Sequence, residues 1–151
     1  MPEINTTQAA KLVARQKLLP HESHGRVRSL NAKMAAAFAQ MAVNDTIFIG
    51  RIPAGSRILG DGIVSCAAGT ATGTLDIGLR ETATGTVLSA TGLATGVDVA
   101  NAGVKPIANG AYITAGAEYV TLVECDVYAT VKTAVLAANQ ALKFEIPYQA
   151  D

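Results

Sequence analysis

The spacing of short apolar segments from residue 45 onward is the feature that most constrains the fold. Runs rich in Val, Ile, Leu and Thr alternate with turn residues at intervals of about 8–12 residues. Such spacing is typical of sandwiches and jelly rolls, whereas βαβ units would place helical patterns between strands. The sequence therefore predicts an all-β fold, an antiparallel β-sandwich that is jelly-roll-like. The predicted strands are Thr46–Ile49, Ser56–Cys66, Thr72–Leu79, Thr86–Ala90, Ala111–Thr114, Tyr119–Val123, Val127–Thr133 and Ala141–Tyr148.

Stretches of small and polar residues are interpreted as the connections between these strands. A long break is expected over residues 97–110. The Thr-, Gly- and Ala-rich clusters between residues 69 and 96 keep no fixed period, so they indicate polar loops rather than a repeat solenoid.

Two segments near the C-terminus alternate between apolar and polar residues, as half-buried strands do. Residues 142–148 alternate in this way, and Pro147, which cannot donate a ladder hydrogen bond, predicts that this strand ends there or lies at an edge. Residues 123–131 alternate more clearly, although a turn at residues 124–126 is an alternative. The inward set would be Val123, Cys125, Val127, Ala129 and Val131, and the outward set Glu124, Asp126, Tyr128, Thr130 and Lys132.

A turn at Pro53-Ala54-Gly55 joins two apolar segments. Pro53 fixes φ for a turn and Gly55 tolerates a positive φ. The pattern is an aspartate-led apolar strand, then arginine, an apolar residue and Pro-Ala-Gly, then a second strand. It resembles the small decoration (cement) proteins of tailed-phage capsids over Asp45–Leu59, and more loosely over Gly73–Leu79.

This resemblance implies a structural virion protein that binds the outside of an expanded phage capsid and stabilises it by bridging capsid subunits. The implied partner is the major capsid protein, and the implied location is the outer capsid surface after synthesis in the host bacterial cytoplasm. Two alternatives stay open. One is another phage structural component, such as a head fibre base, a head–tail joining protein or a tail protein. The other is a carbohydrate-binding β-sandwich, which the absence of Trp makes less attractive.

Residues 26–43 have two competing interpretations. The alanine-rich stretch from Ala32 to Met41 favours a helix by intrinsic propensity. The resemblance implies instead that the segment begins with a strand of the sandwich. We expect a strand over about residues 26–34, followed by a loop or helical turn, and we expect the β-sandwich domain to span residues 26–151.

Residues 1–25 are predicted to form an extended or partly helical N-terminal arm. The first 30 residues carry five basic residues against two acidic ones, whereas the remainder carries seven basic against ten acidic. A basic arm on an acidic body suits docking to an acidic protein surface or to another copy of the chain. Cations this sparse, without aromatic partners, do not favour nucleic acid. The predicted partner-binding residues are Lys11, Leu12, Val13, Arg15, Lys17, Leu18 and Leu19.

The composition favours an oligomer. Half of the residues are hydrophobic, but only 5% are aromatic, so the apolar content is mostly small side chains. Small side chains bury little area each, at about 25 cal/mol per Å². We therefore expect a homodimer or homotrimer, with a slight preference for the dimer, and the four tyrosines are candidates for the interface because each has an apolar ring with a polar tip.

The inventory of reactive residues does not favour an enzyme. The two histidines, His21 and His24, both lie in the arm, where no base is held rigidly against a nucleophile. Carboxylate pairs such as Asp76 with Glu81 are interpreted as solvated side chains, and the glycine-rich stretches lack the strand–loop–helix context of a phosphate site. The chain is predicted to have no catalytic residues, no cofactor and no metal.

Cysteine usage and hydropathy complete the sequence predictions. Cys66 and Cys125 lie in apolar stretches and are interpreted as two buried thiols, with a disulfide as the alternative. No apolar stretch approaches about 20 residues, and residues 1–20 lack the apolar core of a signal peptide. We therefore expect no membrane partner.

Overall fold

The computed structural model describes residues 13–17 and 26–150. Residues 26–150 form two antiparallel sheets joined by short connections. The strands are β1 Arg26–Lys33, β2 Thr46–Ile52, β3 Arg57–Ile58, β4 Gly62–Cys66, β5 Thr74–Glu81, β6 Val87–Asp98, β7 Gly103–Ile107, β8 Cys125–Lys132 and β9 Leu142–Ala150. A one-turn helix, α1, spans Ala111–Thr114, and a 3₁₀ turn spans Gly116–Glu118.

The strand order is that of a jelly roll. One sheet has the order β1-β9-β4-β7, with β3 also paired to β9, and the other has the order β2-β8-β5-β6. Strands that are distant in sequence pair, β1 with β9 and β2 with β8, while β5 pairs with its sequence neighbour β6. The N-terminal strands therefore pair with the C-terminal strands in both sheets, which is the topology of a jelly roll. This confirms the predicted all-β sandwich.

The core lies between the two sheets and consists mostly of aliphatic side chains. Alternate residues of β5 and β9 point into it, and Leu75, Ile77, Leu79, Phe144 and Ile146 are each at most 1% exposed. In β2 a bulge between Phe48 and Gly50 shifts the alternation, so that both Ile47 and Ile52 face inward. Among the described residues, Phe144 and Tyr148 are the aromatic members of the buried cluster, and Phe38, Tyr112 and Tyr119 pack against it while partly exposed.

Residues 26–33 form a strand, as expected, and the helix that propensity favoured over residues 32–41 is absent. After β1 the chain runs irregularly to residue 45 and is held by contacts to the β8–β9 connection. Met41 pairs with Leu136, and the backbone N–H of Phe38 donates to Asn139 Oδ1 at 2.9 Å. Tertiary pairing therefore overrides the helix propensity of the alanines.

The structure corrects the predicted strands in several places, and the strand predicted over Ser56–Cys66 is divided into β3 and β4. Ala111–Thr114 is the helix α1, and residues 119–123 form no strand because they bind a turn rather than a sheet edge. The expected break at residues 97–110 contains β7, and β6 continues to Asp98 through residues 91–96, whose composition predicts a loop. Small polar residues are tolerated in β6 and β7 because much of each strand's outward face is exposed.

Pro147 does not end its strand. β9 continues to Ala150 and lies inside its sheet, between β1 and the β3–β4 segment. The Pro147 carbonyl accepts a hydrogen bond from the Leu59 N–H at 3.0 Å, so the proline nitrogen faces the interruption between β3 and β4. A missing donor costs little on that side, because the register gives Pro147 no partner in β3 or β4.

Candidate interface at one end of the sandwich

A buried carboxylate organises the outer face of the second sheet. Asp126 Oδ1 accepts hydrogen bonds from Arg51 Nε and Thr82 Oγ1, both at 2.9 Å, and Arg80 Nε lies 3.5 Å from Oδ2. Burial alone would raise the pKa of Asp126, but the hydrogen bonds from Thr82 and Arg51 and the charges of both arginines outweigh it and lower that pKa. The carboxylate therefore stays ionised and ties β2, β5 and β8 together.

Aromatic rings complete this outer face. The Arg80 guanidinium lies 5.1 Å from the centre of the Tyr128 ring, and Arg51 lies 5.7 Å from that of Phe48. Arg80 covers the Tyr128 ring, and Tyr128, Asp126 and Thr130 are all buried. These three residues were predicted to face outward, and for them the prediction was wrong. Of the predicted inward set, the four residues from Cys125 to Val131 are buried as predicted, but Val123 precedes the strand and is exposed.

Replacing Asp126 with asparagine should lower the free energy of unfolding by about 2 kcal/mol, because three donors lose a charged acceptor. Arg51 keeps access to water, which limits the loss. Since the folded state lowers the pKa of Asp126, its stabilisation is present above the unfolded pKa of about 4 and is lost as pH falls through the folded value. Thermal unfolding from pH 7 to 3 should therefore show a smaller acid-induced decline in the variant. Asp61→Asn, at an exposed position, is the matched control. It should change neither the free energy of unfolding at pH 7 nor the decline in the thermal midpoint between pH 7 and 3.

The Pro53–Gly55 turn is fastened to the segment that precedes β8. Gly55 has a φ of 78°, as its place in the turn predicts. The Thr121 side chain accepts from the Ser56 N–H at 3.0 Å and donates to the Pro53 carbonyl at 3.0 Å, and the Thr121 carbonyl accepts from the Gly55 N–H at 2.7 Å. These bonds hold residues 119–123 at the end of the sandwich, where β2 and β5 end and β6 and β8 begin.

A groove of about 500 Å³ lies beside this segment, and we call it the tyrosine groove. The rings of Tyr112 and Tyr119 stack in it with centroids 3.7 Å apart and planes 5° from parallel. Gly92 lets α1 approach β6, because a Cβ at that position would collide with the Tyr112 ring. Burial, with a smaller contribution from Tyr112, raises the pKa of Tyr119 above the usual phenol value, at which the group is already neutral at physiological pH. The groove is lined by Glu81, Leu88, Tyr112, Glu118, Tyr119, Val120, Leu122 and Val123.

The rim of the tyrosine groove is unusually apolar for a surface. Leu122 is 91% exposed, and the neighbouring Val123 and Leu88 are also exposed. Single exposed apolar residues are common, but several beside one groove are typical of an interaction site. The two lining carboxylates, Glu81 and Glu118, give the same groove negative charge.

The predicted site residues fall on different parts of the chain. In the arm, Val13, Arg15 and Lys17 are exposed, whereas Lys11, Leu12, Leu18 and Leu19 lie outside the described residues. Of the tyrosines proposed for an interface, Tyr112 and Tyr119 line the groove, while Tyr128 and Tyr148 are buried. The sequence interpretation missed Leu88 and Leu122, because it assigned them to the predicted strands Thr86–Ala90 and Tyr119–Val123 and gave them no role in an interface.

The remaining candidate chemistry is sparse. Cys66 and Cys125 are buried, unpaired thiols at opposite ends of the sandwich, opposite Leu142 and Ile52 respectively, and burial raises the pKa of both. Within residues 13–17 and 26–150, no three His, Cys, Asp or Glu side chains converge on a metal position. No helix in that part of the chain is long and apolar enough to cross a bilayer.

The fold can be compared with those of known proteins. A chain from the capsid of Ralstonia phage GP4 superimposes with a TM-score of 0.63 at 18% identity, over 84% of this chain and 86% of that one. A chain from the cyanophage Pam1 capsid asymmetric unit gives a TM-score of 0.52 at 16% identity, over 100% of both chains. The fold recurs in phage capsids. No protein-family model and no curated protein match the sequence.

Proposed function

We propose that this chain is a structural protein of a tailed-phage virion that binds the outside of the expanded capsid and bridges neighbouring capsid subunits. The single observation that carries the proposal is the fold likeness to chains of two phage capsids. In each comparison the covered shares of the two chains are nearly equal, so each neighbour is about as long as this chain. The likeness therefore spans whole small proteins rather than one domain of a large shell protein. The resemblance around the Pro53–Gly55 turn supports the same role.

The proposed mechanism is mechanical rather than enzymatic. A protein that binds only the expanded lattice stabilises that lattice by mass action, since shrinkage or rupture would require its release. Each contact is modest, but many copies on one shell, each touching two subunits, add through multivalency. The two-sheet body would bear the load. At its groove end, Asp126 with its partners Arg51, Thr82 and Arg80 connects strands of the second sheet, and Thr121 connects the Pro53–Gly55 turn to the segment before β8.

The proposed partners are the major capsid protein and further copies of this chain. The seven predicted arm residues would supply cations and apolar side chains for these contacts, and a homodimer is favoured over a homotrimer. The apolar rim of the tyrosine groove supports association, because it leaves apolar area that a partner can cover. The proposed location is the outer surface of the virion, after synthesis in the host bacterial cytoplasm.

The proposal is tested by mixing the purified chain with capsids of its phage, before and after expansion, and measuring the bound copies by sedimentation and electron microscopy. We expect saturable binding to the outside of expanded capsids and at least ten-fold weaker binding to unexpanded ones. Equal binding to both forms would contradict the stabilising role. Labelling of tails or of the head–tail junction in place of the shell would assign the chain to another virion component.

A further inference from the structure

We infer that the tyrosine groove of one copy binds the basic, apolar arm segment of residues 11–19 from a second copy. The inference rests on the proposed partner-binding role of the arm. It names the tyrosine groove as the binding site of the arm, which the sequence alone does not indicate. The site itself consists only of described residues: the stacked tyrosines, the apolar rim and the two carboxylates that line it.

The groove offers an apolar surface beside negative charge. Leu122, at 91% exposure, and Leu88 provide apolar area, while Glu81 and Glu118 provide carboxylates on the same lining. The neutral phenol of Tyr119 adds a polar tip without a charge. A matching ligand therefore combines aliphatic side chains with cations, because exposed ion pairs alone contribute only about 0–1 kcal/mol.

The arm segment has this composition. Residues 11–19 contain three cations and no acidic residue, together with four aliphatic side chains larger than alanine. The cations are Lys11, Arg15 and Lys17, and the aliphatic residues are Leu12, Val13, Leu18 and Leu19. The charge of the segment is opposite to that of the groove, and both combine it with aliphatic area.

The strand register places the root of the arm at the groove end of the sandwich. Arg26, the first residue of β1, pairs with Ala150, and Gln149 pairs with Arg57, which follows the Pro53–Gly55 turn. The turn is bonded to Thr121, next to the groove residue Leu122. From residue 26, extended chain back to residues 11–19 reaches on the order of 25–50 Å, enough to enter a neighbouring copy.

A second copy is favoured over the chain's own groove. Residues 13–17 are all exposed in the single chain, with Val13 at 74%, so its own body does not bury them. Two copies that exchange arms around a two-fold axis would fill both grooves by the same contact, and the assembly would close.

Cross-linking between differently tagged chains tests this inference. One chain carries Val13→Cys and the other Leu122→Cys, and the two are co-produced and oxidised without capsids. Both positions are exposed, while burial raises the pKa of the native thiols and slows their reaction. The matched control pairs Val13→Cys with Val104→Cys, an exposed valine at the opposite end of the sandwich.

We expect the Val13–Leu122 pair to give a mixed cross-linked dimer in at least ten-fold higher yield than the control pair. Equal yields, or no mixed dimer, would overturn the inference. A chain carrying both Val13→Cys and Leu122→Cys that closes only within itself would also overturn it, because the arm would then occupy its own groove.

Charge reversal provides a second readout of the same contact. Changing Lys11 and Lys17 to Glu should reduce the cross-linked yield several-fold, and adding Glu81→Lys and Glu118→Lys to both chains should restore it. A reduced yield without restoration would show that the arm binds elsewhere and would overturn the inference. No capsid is present in these experiments. A negative result would therefore overturn the arm-to-groove contact and would not bear on capsid binding, which has a separate test.

Discussion

Replacing Gly78 with valine is expected to lower the free energy of unfolding by more than about 3 kcal/mol. Gly78 lies in β5 opposite Tyr128 and is buried. A Cβ there would collide with the Ser89 carbonyl oxygen and with the backbone of Ala90, where the β5–β6 register shifts and β6 crosses close to the outer face. Main chain cannot rotate aside as a side chain can, so β6 would have to leave its sheet. Thermal unfolding should show a midpoint lowered by about 6–12 °C, or the variant should accumulate as insoluble protein.

Gly60→Ala is the matched control for this effect. A Cβ at Gly60 would meet only the Ile113 side chain, at 3.2 Å, and Gly60 is exposed. That methyl group can yield by a few tenths of an ångström, so the midpoint should move by no more than about 2 °C. A Gly78→Val chain as stable as this control would contradict the close crossing of β6 over β5.

Deletion of residues 1–25 should sharply reduce both capsid occupancy and dimer formation while leaving the body folded. Every buried apolar residue of the described core lies between Ile47 and Ala150, so the truncation removes none of them. At a concentration where both chains are monomeric, the thermal midpoint should stay within about 2 °C of the full chain. Occupancy is measured on expanded capsids, and dimer formation by sedimentation velocity over a concentration series.

A shorter deletion, of residues 1–10, tests whether binding depends on the predicted binding residues 11–19 or on the full length of the arm. It keeps Lys11 to Leu19 and should retain most of the occupancy of the full chain. If the longer deletion decorates capsids and dimerises as well as the full chain, the arm takes no part in either contact. If the longer deletion fails to fold, residues 1–25 belong to the body, and the expected boundary at residue 25 is wrong.

Alternation of apolar and polar residues predicted strands correctly where one face of the strand is buried and the other is exposed. The alternation of residues 142–148 and the Pro53–Gly55 turn are visible in the sequence, and both appear in the structure. Ala111–Thr114 could not be assigned in this way, because four residues carry too little periodicity to separate a strand from one helical turn. For residues 34–41, long-range bonds to Leu136 and Asn139 override a strong local propensity.

The candidate interface was only partly predictable. Tyrosines can be named from the sequence as interface candidates, but which of the four are exposed depends on packing between distant strands. Tyr128 is covered by Arg80 from β5, whereas Tyr112 and Tyr119 meet through stacking across the 3₁₀ turn. Leu122 looks like a strand residue in sequence, but it lies outside both sheets, next to Thr121, which is bonded to the Pro53–Gly55 turn.

The pairing of Arg26 with Ala150 has a practical consequence for display of foreign peptides on this scaffold. Both ends of the described body, Arg26 and Ala150, lie side by side at the groove end, where the arm begins. The connection between β6 and β7 lies at the other pole, where Asn101 and Ala102 are exposed. A peptide inserted between these two residues would lie at the end of the body opposite the root of the arm and the tyrosine groove, so it would leave both of them free to bind.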